Sequence, residues 1–128
     1  MAPRGRLSKQ SKIERVVAVS GILKDVFGPI SWKPRYKAAE ELVYTILSQH
    51  TSDVNSERAF RGLMDRFKTL DRVADVSVKC IEKTIRHGGL ARSKAPRIKA
   101  ILNQIRREVG SFDLSFLSEM PLQQAKVW

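Results

Sequence analysis

Apolar residues recur at three- and four-residue steps along almost the whole chain, which is the spacing of helices that bury one face. Ile13, Val16, Val17, Leu23, Val26 and Phe27 predict a first helix over 11–27, with Gly21 as its weak point and Gly28-Pro29 as its stop. GPISWKPRYK (28–37) holds two prolines and reads as a linker whose Trp32 and Tyr36 are free to anchor on a neighbouring surface. A second helix over about 36–48 turns Ala39, Leu42, Val43, Ile46 and Leu47 inward. The polar run Ser48 to Asp53 interrupts the pattern, and Ser52 or Asp53 can cap the next helix. That third helix places Val54, Phe60, Leu63, Met64 and Phe67 inside and Arg58, Arg61 and Arg66 outside. A turn near 71–74 leads to a fourth helix over about 77–87, with Val78, Ile81 and Ile85 on one face and His87-Gly88-Gly89-Leu90 at its end. A fifth helix over about 93–109 carries the stripe Ile98, Ile101, Leu102, Ile105 and Val109, with Pro96 tolerated in its first turn. A short turn or helix at 114–117 follows, and Pro121 then opens a last helical stretch in which Leu122, Ala125 and Trp128 begin an apolar stripe without a C-cap. Such an ending reads as a chain cut inside a larger domain, with Leu122, Val127, Trp128 and part of the inner faces of the first two helices left uncovered. No strand-like alternation, internal repeat or low-complexity tract interrupts this all-α reading.

Composition adds a partner class. With 128 residues and 42% hydrophobic content the chain can fill one ordinary core, which excludes a large multidomain enzyme. Its formal charge of +11 and pI near 10.3 point to a polyanion such as nucleic acid. Basic residues concentrate in 1–37 and 76–128, on either side of a nearly neutral middle. The lone Cys80 excludes an internal disulfide framework and fits a reducing, intracellular location, cytoplasmic or nucleoid-associated. No run of eighteen apolar residues exists and the N-terminus is polar and basic, so no membrane partner is expected.

Self-standing catalytic signatures are missing from this sequence: it has no P-loop, dinucleotide glycine pattern, HExxH pair or GxSxG elbow. His50 and His87 lack metal-ligand spacing, and a single cysteine on an amphipathic helix reads as packing. The outward arginines Arg58, Arg61, Arg66, Arg106 and Arg107 suit either phosphate or plain solvation.

Two segments stand out. ELVYTILSQHTSDV (41–54), followed by NSERAFRGLMDRF, resembles the second and third helices of the endonuclease III family of DNA base-excision glycosylases. IRHGGLARSKA (85–95) resembles that family's GL-x-x-SKA stretch, in the same order and at a similar separation. The resemblance extends over about 13–128. It implies an all-α protein of the helix-hairpin-helix glycosylase superfamily that acts on double-stranded DNA carrying a damaged base or an abasic site, as a monomer in its complete form. Extruding a base costs a few kcal/mol, and the gap it leaves needs a side chain to fill it. By resemblance Leu90 takes the wedge position, flanked by Gly88 and Gly89, which let backbone approach the duplex. The gap-filling loop position falls on His50 in a gapless match, with Gln49 one residue earlier, so either can enter the stack. Thr51, Arg92, Ser93 and Lys94 complete the DNA-facing set, Arg92 and Lys94 as phosphate contacts.

The resemblance also implies what lies beyond Trp128. In the family a hairpin of the form LPGVGxKTA with the nucleophilic Lys, a catalytic Asp and a four-cysteine loop for a 4Fe-4S cluster follow the sixth helix. None of these roles carries over to a residue here, so the expectation is no catalytic residue, no metal and no cofactor in this chain. The resulting scheme is a basic tail over 1–10, an N-terminal helix and linker over 11–30, and an incomplete six-helix barrel glycosylase domain over 31–128. A small basic helical module that binds nucleic acid without catalysis is the alternative.

Overall fold

A computed structural model describes residues 8–128; residues 1–7, most of the expected basic tail, lie outside them. The chain divides into two compact units, 1–34 and 35–128. The described residues form seven α-helices and two 3-10 turns, without a strand among them.

In the first unit, α1 (Lys9–Phe27) starts two residues earlier than the apolar spacing indicates, because the Ser8 hydroxyl accepts the Ser11 amide and caps it. It runs through Gly21 and stops at Gly28, whose φ of 76° suits glycine. Its apolar residues, including Val16, Val17, Val19, Ile22, Leu23 and Val26, are exposed and spread around the helix, and none of its residues is buried.

The second unit holds the core. It comprises α2 (Ala38–Ser48), α3 (Asp53–Phe67), α4 (Leu70–Asp75), α5 (Val78–Thr84), a 3-10 turn over Arg86–Gly88, α6 (Ala91–Val109), a 3-10 turn over Ser115–Ser118 and α7 (Leu122–Val127). Ser52, Thr69 and Ser77 cap α3, α4 and α5 by accepting amides three residues on, so three successive helix starts are written in hydroxyl residues. The centre is apolar: Val43, Leu47, Leu63, Val73, Ile81, Ile85, Ile98 and Leu102 are fully buried. Packing is mainly α2 on α3, α5 on α6, and α6 against α2 and α4. Tyr36 anchors on the helices of this unit, as its place in the linker allows. Its ring lies 4.5 Å from Phe60 and 5.6 Å from Tyr44, and its hydroxyl donates to Glu57 at 3.0 Å.

Several local expectations need correction. The stretch 71–74 belongs to α4, since Leu70, Val73 and Ala74 bury a stripe too short to show as periodicity. Val54 is 73% exposed, because it sits in the first turn of α3 beside the cap and not over the core. Helix α6 begins at Ala91, so Pro96 lies in its second turn, where its missing N–H leaves the Arg92 carbonyl without a helical partner. The inner face of α2 is covered, with Ala39, Val43, Ile46 and Leu47 all buried. Leu122, Val127 and Trp128 are exposed as expected, Trp128 with its ring edge-on to Phe116 at 5.4 Å.

Candidate nucleic-acid interface

Two connections far apart in sequence meet at the end of α2. After α2 the chain turns through Gln49, His50 and Thr51 into the α3 cap, with His50 in the left-handed region at φ 55°. This is where a helix C-terminus often takes a left-handed residue, and histidine tolerates it better than most. The second connection follows α5, whose last turn tightens into the Arg86–Gly88 3-10 turn before Gly89 and Leu90 lead into α6. Gly89 has φ 71° and ψ 152°, outside the range of residues with a side chain. Leu90 has φ 51° and ψ 33°, a left-handed leucine at 56% exposure. A side chain held there costs about 1–2 kcal/mol relative to right-handed geometry, strain of the kind that clusters at working sites.

The two connections lie close together and share partners on α6. A Cβ on Gly89 would lie 4.0 Å from the Thr51 hydroxyl oxygen. Arg97, one turn along α6, donates to the Gln49 side-chain oxygen at 3.1 Å. Lys94, only 3% exposed, donates its ammonium to the Leu47 carbonyl at 2.8 Å and to the Gly88 carbonyl at 3.0 Å. The Leu47 carbonyl is one of those a helix leaves free at its C-terminus, and a cation there also meets the negative end of the helix dipole. Burial pulls the Lys94 pKa below that of an exposed lysine.

The structure thus assembles Gln49, His50, Thr51, Gly89, Leu90, Arg92 and Ser93 on one accessible rim and separates Lys94 from them. Lys94 as a phosphate contact is corrected: its side chain points inward and its ammonium is occupied by two carbonyls. Ser93 uses its hydroxyl on the Leu90 carbonyl at 3.0 Å, bracing the turn. Gly88 is buried, and its lack of a side chain is needed for packing, because an added Cβ would meet the Ala59 Cβ of α3 at 2.9 Å. Gly88→Ala should therefore lower stability by about 1–2 kcal/mol in urea denaturation, the low half of the overpacking range for one added methyl. An unchanged midpoint would show that α3 and the turn can part without cost. Arg97 escaped the sequence reading, though its place one turn beyond Lys94 on the face leading to the connections could have marked it.

The wall so built is basic and polar with one exposed leucine at its tip. Arg86, Arg92 and Arg97 are exposed around it, and α6 points its amino end at the turn, so both side-chain charge and the helix dipole favour an anion. Among the described residues no group of three His, Cys, Asp or Glu side chains is placed to hold one, and a single cysteine cannot supply four thiolates.

Comparison with known proteins supplies the family. Residues 43–125 match the family described as HhH-GPD superfamily base excision DNA repair protein, a span that includes both connections and the Lys94 bridge. The chain belongs to the HhH-GPD superfamily. An Arabidopsis thaliana protein named "Putative DNA glycosylase" is 42% identical over 85 residues, which cover 66% of this chain and 29% of that protein. A Methanocaldococcus jannaschii protein named "Putative DNA repair glycosylase" is 31% identical over 104 residues, 80% of this chain and 47% of that protein. This HhH-GPD chain therefore spans less than half the length of either of these relatives. The all-α fold seen here is that of the superfamily, and the resemblance to the endonuclease III family is upheld at this level.

Proposed function

We propose that the chain serves base-excision DNA repair as the stack-wedging part of a DNA glycosylase, engaging duplex DNA at a damaged or abasic nucleotide. The observation that carries this reading is the exposed left-handed Leu90 set beside the Gln49–Thr51 loop on a basic rim, inside the segment that matches the base-excision repair family. An apolar side chain on a rigid turn can enter a base step that has lost its partner, while arginines on either side hold the backbone. Leu90 is the wedge, Gln49 or His50 fills the gap, and Arg92 and Arg97 meet phosphates. Glycosidic bond cleavage and any strand cleavage at the abasic site belong to the complete glycosylase, and no residue of this chain is assigned a chemical step.

The test is fluorescence anisotropy of the purified 128-residue chain on two duplexes that differ only by one tetrahydrofuran abasic analogue. Tighter binding to the abasic duplex is expected, with log affinity falling against log salt at a slope of roughly −0.9 per phosphate contacted. Equal affinity for the two duplexes would leave only charge-driven binding and return the chain to the non-catalytic module.

A further inference from the structure

Helix α6 carries two lysines whose ammonium groups grip main-chain carbonyls of other elements. Lys99 donates to Ala74 and Val76 at 2.6 Å each, closing the end of α4. Lys94 donates to Leu47 and Gly88, closing the end of α2. Only the second pair lies at the rim: Leu47 is two residues ahead of Gln49, and Gly88 is two residues ahead of Leu90. One buried nitrogen thus fixes the backbone just upstream of both presenting residues, which are 41 positions apart in the chain. The remaining tie is weaker, the exposed Arg97 to Gln49 hydrogen bond, and Gly89 lies near Thr51 without a side chain to reach it.

We propose that Lys94 is a positioning residue whose ammonium clamps the Gln49–Thr51 loop and the Gly89–Leu90 turn at one fixed spacing, so that wedge and gap-filling side chains meet the duplex together. This rests on the reading of Leu90 as a wedge. The clamp follows from charge and reach. Lysine is long enough to rise from α6 to both carbonyls, a cation makes stronger hydrogen bonds than a neutral donor, and neither carbonyl has water as a substitute inside the core. Losing the ammonium leaves each connection tied to its own helix only, and a displacement of about 1 Å in a positioned group can cost up to a hundredfold in what it does.

Lys99 supplies the control, with the same chemistry away from the rim. Lys94→Met and Lys99→Met are to be compared by thermal unfolding, by the nuclear Overhauser contact between Thr51 and Gly89 in the free protein, and by the ratio of affinities for abasic and intact duplexes. Both variants should lose stability. Only Lys94→Met should lose the Thr51 to Gly89 contact, with its affinity ratio falling about tenfold or to unity, while Lys99→Met keeps both. Should Lys94→Met fail to fold, Lys94→Gln replaces it, since its amide is one bond too short to reach both carbonyls, and a folded Lys94→Gln with an undiminished ratio overturns the clamp. The clamp is equally overturned if contact and ratio persist in Lys94→Met, or vanish in Lys99→Met as well. If the unsubstituted chain shows no preference for the abasic duplex, the wedge reading fails, and the free-protein contact alone then decides for or against the clamp.

Discussion

Leu90→Ala should weaken binding to an abasic duplex by about 1–3 kcal/mol, roughly five- to 150-fold, and binding to an intact duplex much less. The side chain is more than half exposed and lies outside the buried core, so its removal leaves folding nearly untouched. Alanine keeps a Cβ in the same left-handed backbone, so the strain at φ 51° also stays. Binding is thereby separated from stability in one substitution. Leu90→Gly sharpens the contrast: relief of the left-handed penalty, less the entropy of a freer unfolded chain, should raise stability by several tenths of a kcal/mol, while abasic recognition falls as in the alanine variant. Urea titrations and anisotropy on the two duplexes read both quantities. Equal losses on damaged and intact DNA would remove the wedge role.

The largest effect on the fold is expected at Leu102. It is fully buried on α6, the helix that packs against α2, α4 and α5, so truncation to alanine opens a cavity that backbone from four helices must share. Leu102→Ala should cost about 2–5 kcal/mol, and the melting temperature should fall by about 10 °C or more at roughly 4–8 °C per kcal/mol. A second consequence separates this from a surface change. Because α6 also carries Lys94, the variant should weaken protection from hydrogen exchange at the Gly88 amide, which donates to the Ile85 carbonyl at 2.8 Å, as the core loosens. A loss below about 1 kcal/mol would mean that the neighbours collapse into the space left beside α6.

Helix content was legible in the sequence because each long helix of the core writes its own buried stripe at the 3.6-residue period: Val43, Ile46 and Leu47; Phe60, Leu63 and Phe67; Ile98, Leu102 and Ile105. Caps were legible where a hydroxyl stands just ahead of a stripe, as Ser52 does. So were the net charge and the paired segments around Gln49–Thr51 and Gly88–Leu90 that carry the family resemblance. Local physics decides all of these, since period, propensity and side-chain oxygen act within a few residues. Short α4 escaped because six residues hold too little of a period to register, and Val54 misled because a residue in a first turn can carry the right spacing and still face solvent. The left-handed backbone of Leu90 and His50, the meeting of Gly89 with Thr51, and the inward turn of Lys94 were decided only by tertiary structure. A lysine beside a turn looks the same in sequence with its ammonium in water or on two buried carbonyls. What selects the second is the arrival of Leu47 and Gly88 at one point, set by how α2, the turn after α5 and α6 pack, and no spacing along the chain encodes it.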